Sequence, residues 1–162
     1  SSSASSRHQD SPMSNKPVVF WLIQGPGWLL FVYLVYAQAI PAFDYDLGVR
    51  MGTQESAMVI TEVGTAFWYG FAFADLVFYI PILAIGLAGH WKESPWYRAV
   101  LGAALGITIY WPITALATVV AARDASQWNL SNETPYWVVL PLIVLWASWS
   151  FWQIIRRKPS AS

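Results

Sequence analysis

Apolar and polar positions divide this chain into four long apolar runs joined by short polar connections. The runs extend over about Val18 to Ile40, Thr65 to Gly89, Val100 to Ala122 and Tyr136 to Ile155. Each reaches the roughly 20 residues that a bilayer-spanning helix requires. Backbone groups in lipid must be satisfied within their own segment, so runs of this length are predicted to be helices. The fold class is therefore all-α: a polytopic membrane protein with a bundle of four transmembrane helices. Pro26, Pro81, Pro112 and Pro141 each delete a backbone donor within a run, which predicts kinked helices. The first connection, Pro41 to Thr61, is long enough for a short interfacial helix over one end of the bundle. A plain solvated loop fits it as well.

Flanking charge sets the expected orientation. Lys16, Lys92, Arg98 and Arg156-Arg157-Lys158 lie on one side of the runs, while the other side holds Asp44, Asp46, Arg50 and Glu55, then Arg123, Asp124 and Glu133, so basic residues favour the first side. The basic side is expected to be cytoplasmic, with both termini inside. Ser1 to Pro12 is serine-rich and precedes Met13, which reads like a natural start. Residues 1–15 are expected to be a disordered extension or tag remnant, 16–158 a single transmembrane domain and 159–162 a disordered tail. No repeat of 20–50 residues stands out.

Composition narrows the function. The chain is 56% hydrophobic and 11% charged, against about 25% charged in soluble domains. Net charge is zero, so no basic surface invites nucleic acid. Cysteine is absent and histidine is limited to His8 and His90, which leaves no thiolate chemistry and no histidine-rich metal site. No hydrolytic triad, phosphate-binding loop or cofactor motif is present, so the chemistry leans away from an enzyme and no cofactor or metal is expected.

One acid interrupts the second run. Asp75 falls near its middle, close to the bilayer midplane, where intramembrane ionisable groups mark functional sites. Structural glue between helices is the alternative role. Trp68, Asp75 and Tyr79 share a helix face by their spacing, and Tyr79 is positioned to donate its hydroxyl to Asp75. Trp28, Tyr110, Trp111 and Trp146 fall at similar depth in the other runs, away from the interfacial belts where tryptophan and tyrosine concentrate. A carboxylate ringed by aromatic faces suits an organic cation, whereas a solid aromatic core would place the same residues at the same depth. Thr108 and Thr114 flank Trp111. Gln24 and Gln38 add polar groups to the first run. Glu62, beside Thr61, reads as a helix start, with the mouth of an outer vestibule as a second role. Gly102 and Gly106 form a small-xxx-small pair that permits close approach of another helix, including that of a second copy in a homodimer.

The string from Asp75 to Pro81, a short connection with Trp91, Lys92, Trp96 and Arg98, and Tyr110 to Ile113 together resemble the sigma-2 receptor and emopamil-binding (EXPERA) proteins. The likeness runs from about Phe71 to Ala115. It implies a four- or five-helix membrane protein that binds sterols or cationic amphiphiles in an intramembrane pocket, with Asp75 and Pro81 at the positions of that family's acid and proline. Two departures stand out: no histidine lies within a helix core, and Gln24 and Gln38 occupy the first helix where the sigma-2 type has an acid. Sterol isomerisation is thereby disfavoured. The expected function is binding of a hydrophobic or amphiphilic small molecule among membrane lipids. Proton-coupled transport through Asp75 and a non-catalytic assembly role are the alternatives. The expected location is a bacterial cytoplasmic membrane, with the endoplasmic reticulum membrane as the alternative.

Overall fold

A computed structural model describes residues 16–156. The extension over 1–15, Arg157, Lys158 and the tail 159–162 lie outside the described residues. Among the described residues every regular element is helical. The long helices are α1 (Val18–Phe43), α3 (Ala57–Trp91), α4 (Tyr97–Ala122) and α5 (Thr134–Arg156). A short helix, α2 (Tyr45–Arg50), follows α1. All four long helices are apolar enough to cross a membrane, and at most 39% of an 18-residue apolar stretch of any one of them is buried within the protein. Leu29, Val77, Leu142 and Leu145 point outward, each more than half exposed. Such a surface is stable only against lipid, so this is an integral membrane protein.

Each span extends past its apolar run at one end or both. α3 starts at Ala57 rather than near Thr65, but its backbone breaks at Thr61 (φ 69°). A β-branched residue rarely adopts that conformation. Here Thr61 restarts the helix, its Oγ1 accepting from the Gly64 N–H at 3.2 Å. Glu62 follows the cap and faces solvent, where its charge suits the helix dipole.

Prolines leave a second signature. α1 and α3 each contain one π-helical segment, Val35–Ala39 and Asp75–Tyr79. Each runs directly into Ile-Pro, and the isoleucine N–H bonds five residues back, Ile40 to Val35 and Ile80 to Asp75. Proline lacks a donor and crowds the carbonyl four residues before it, so the preceding turn widens. Both segments belong to one string, Trp-x2-Phe-x8-Ile-Pro, which occurs at Trp28–Pro41 and again at Trp68–Pro81. The two π turns pack against each other. This short correspondence has too few identities to stand out as a sequence repeat.

Carbonyls released by two prolines are taken up by other elements. Pro26 frees Leu22, whose oxygen accepts from Trp146 Nε1 at 2.9 Å. Pro41 frees Ala37, whose oxygen accepts from Gln54 Nε2 at 2.8 Å. The second bond ties the α2 connection to α1. Asp44 caps α2 through the Leu47 N–H at 2.9 Å.

Along the bundle α1 packs on α3, α3 on α4 and α4 on α5. At Gly86 the neighbouring span presents its backbone, and an added Cβ would stand 2.8 Å from Leu101 Cα. Gly106 meets nothing within 4 Å, and Gly102 only Phe151 at 3.7 Å. Within the chain, the close helix approach is made at Gly86 rather than at Gly102 and Gly106.

Candidate functional site

The residues expected around Asp75 divide among four environments. Asp75 itself is buried, and no described side chain is seen donating to its carboxyl. Tyr79 does not bond it. The Tyr79 hydroxyl lies 2.6 Å from Thr108 Oγ1, which in turn donates to the Ala104 carbonyl at 2.7 Å. Thr108 has spent its proton, so Tyr79 is the donor of that pair. The Trp111 N–H lies beside the same hydroxyl but outside hydrogen-bond geometry.

Trp28 belongs to a network nearer the other end. Its Nε1 donates to Gln24 Oε1 at 2.8 Å. Gln24 Nε2 lies 2.9 Å from both the Leu87 carbonyl and His90 Nδ1. With its amide oriented by Trp28 and Leu87, Gln24 donates to His90, whose Nδ1 is the acceptor. His90 is 3% exposed, between the rings of Phe20 and Tyr97 at 4.9 and 5.0 Å. It lies at a helix end, as expected, and is nevertheless buried. Its position in the last turn of α3, followed by Trp91 and Lys92, gave no sign of burial.

Tyr110 is 66% exposed on the bundle exterior. Thr114 bonds the Tyr110 carbonyl at 3.1 Å within its own helix. Trp146 lies on the seam between α1 and α5, and Glu62 remains at the surface. No hydrogen bond is seen between Asp75 and any of these four.

A cavity of about 350 Å³ does bring Gln38, Trp68 and Trp111 together, nearer α2 than Asp75 is. α1 contributes Tyr33 and Gln38, the connection after α2 contributes Thr53, Gln54 and Glu55, α3 contributes Trp68, α4 contributes Trp111 and Ala115, and α5 contributes Tyr136 and Val139. Asp75 is absent from this wall. It lies seven residues, or about 10 Å of helix, beyond Trp68. Trp111 connects the two levels, with one side in the cavity wall and its N–H beside Tyr79.

Glu55 is the one ionisable acid in that wall, which holds no basic side chain among the described residues. The Tyr45 hydroxyl donates to the Glu55 backbone carbonyl at 3.0 Å. Burial, then the Glu55 charge, then Tyr136 push the Tyr45 phenol up to about 12. A phenol raised in the folded state stabilises the fold below its ordinary value near 10 and loses that contribution as pH rises toward 12. Tyr45 therefore holds the Glu55 segment across the neutral range. Glu55 is inconspicuous in the sequence because it lies in a polar connection, whereas Asp75 stands out inside an apolar run.

The rim of this end is fixed by Arg123, which pairs with Glu133 through two guanidinium nitrogens. Trp137 Nε1 donates to the same carboxylate at 3.0 Å. The Arg123 hydrogen bond, then that of Trp137, holds the Glu133 carboxyl down to about 2. A depressed carboxyl stabilises its surroundings above its ordinary 4.5, and that contribution is lost as pH falls from 4.5 toward about 2. The ¹⁵N shift of the Trp137 indole is expected to move within that window. In Glu133→Gln it should not titrate there; a titration unchanged by the substitution contradicts the pairing.

Four apolar spans, a lipid-directed exterior and an aromatic vestibule with one carboxylate define the class: a polytopic α-helical membrane protein with a cavity in one half of its bundle. No family model, curated protein or solved structure matches this chain.

Proposed function

We propose that this protein binds an organic cation with apolar substituents in the vestibule beneath α2. A single observation carries the reading: Glu55 stands in a wall with Trp68, Trp111, Tyr33 and Tyr136, and no basic residue neutralises it there. A carboxylate supplies charge pairing, aromatic faces add cation–π attraction, and both strengthen as water is excluded. The volume lies at the lower end of the range for small-molecule pockets, about 300–1,000 Å³. Lys16, Lys92, Arg98 and Arg156 gather at the opposite end of the bundle, which supports a cytoplasmic location for that end and for both termini. The vestibule then opens to the outer side. The resemblance to sigma-2 and emopamil-binding proteins points to the same ligand class, although its Asp75–Pro81 string lies beneath the vestibule.

The test uses benzyltrimethylammonium and its neutral isostere neopentylbenzene, titrated against purified protein in maltoside micelles with tryptophan fluorescence as the readout. Saturable quenching by the cation and none by the hydrocarbon is expected. Equal quenching by both would discard a cation site.

A second reading, proton-coupled passage through the bundle, is favoured by Asp75. That carboxyl is buried in a π-helical turn, a distortion frequent at functional sites, and it lies below the vestibule. In proteoliposomes, cation addition is expected to drive proton movement that Asp75→Asn abolishes. Proton movement that persists in Asp75→Asn, or none in either protein, eliminates coupling through this residue.

A further inference from the structure

The vestibule has a neighbour on its lipid side. α1 and α5 meet along a loosely packed seam, because the packing runs from α1 through α3 and α4 to α5. That seam holds a groove of about 450 Å³ with almost wholly apolar walls, formed largely by Leu29 and Leu30 of α1 and Leu142 and Ile143 of α5. Tyr33 and Val139 line both the groove and the vestibule. Groove and vestibule are therefore adjacent, with one aromatic and one aliphatic side chain forming the threshold. Toward the far end of the groove, Trp146 bridges α5 to the Leu22 carbonyl that Pro26 releases, so the two helices are held together there while they part nearer the vestibule.

Polarity changes across this threshold in the way an amphiphile does. On one side are Glu55, Gln38 and Gln54; on the other the groove has almost no polar surface. The groove also faces outward, with Leu29 72% and Leu142 61% exposed on the protein surface that the bilayer covers. We propose that the ligand of the vestibule is a single-chain amphiphile taken from the bilayer. Its ammonium head sits against Glu55, and its alkyl chain passes between Tyr33 and Val139 into the α1–α5 groove. This inference rests on the cation reading of the vestibule and adds the ligand class and the route of entry.

The experiment compares hexadecyltrimethylammonium, which has the chain, with benzyltrimethylammonium, which lacks it. Both are titrated in maltoside micelles against the wild type, Leu29→Trp, Leu142→Trp and Glu55→Gln. Leu29 and Leu142 are surface positions, so added bulk fills the groove without entering the core. Each tryptophan variant is expected to weaken the long-chain cation about tenfold, equivalent to losing roughly two buried methylenes. The short cation should change by less than about twofold, because its site lies within the vestibule. Unchanged long-chain binding in both tryptophan variants, with Glu55→Gln still weakening both cations, overturns the groove route alone. Insensitivity of both cations to Glu55→Gln overturns the vestibule reading and this inference with it.

Discussion

Gly86→Leu is expected to abolish recovery of folded, monodisperse protein in detergent. A Cβ at this position would lie 2.8 Å from Leu101 Cα and 2.9 Å from Leu101 N. Those are backbone atoms of the neighbouring span and cannot move aside by changing rotamer. Even Gly86→Ala is expected to cost about 1–3 kcal/mol by overpacking, out of a total stability on the order of 5–15 kcal/mol. Leucine adds three more heavy atoms where α3 meets the backbone of α4, and separating the helices there opens the core around Leu83, Leu87, Leu101 and Leu105. Gly106→Ala is the control, since its added methyl meets nothing within 4 Å; a change below about 0.5 kcal/mol is expected. Size-exclusion profiles and thermal unfolding in detergent distinguish these outcomes. Wild-type behaviour of Gly86→Leu would show that α3 and α4 do not approach at this point.

The largest effect on binding is expected from Glu55→Gln. Glutamine keeps the shape of the side chain and removes its charge, so the fold has little reason to change. An interaction with a charged partner contributes about 1.5–3 kcal/mol, so affinity for benzyltrimethylammonium should fall about 10- to 100-fold. Glu62→Gln is the matched control: the same substitution at an exposed helix start, outside the vestibule wall. Titration by tryptophan fluorescence reports both variants, because Trp68 and Trp111 form part of the wall. Equal losses in the two variants would indicate a general field effect and remove Glu55 from the site.

These predictions concern residues that the sequence presents unequally. Asp75 announces itself as an acid inside an apolar run, and the structure does bury it. Glu55 sits in a polar connection where a carboxylate is ordinary. It enters the vestibule wall because Gln54 bonds the Ala37 carbonyl released by Pro41 and Tyr45 bonds the Glu55 backbone. Both bonds join residues from separate elements, and a hydropathy pattern carries no term for them. In the sequence, depth alone suggests the aromatic layer. Depth places Trp28, Trp111 and Trp146 at comparable levels, but rotation about each helix axis sends Trp28 to Gln24, Trp146 to Leu22 and Trp111 to the vestibule.

The amino-acid sequence by itself determined the number of spans, their approximate limits and the all-helical class. These follow from transfer energies and backbone hydrogen bonding, which each segment satisfies alone. It also contained the two Ile-Pro strings that widen the preceding turns into π-helix, since a missing donor acts on its own helix. Only the tertiary structure decided which faces meet: Gly86 against Leu101, His90 against Gln24, and Glu55 across from Trp68 and Trp111. Those choices are pairwise packing and hydrogen-bond energies between segments. In lipid, where apolar faces gain little by preferring one another over acyl chains, such pair terms alone fix the arrangement.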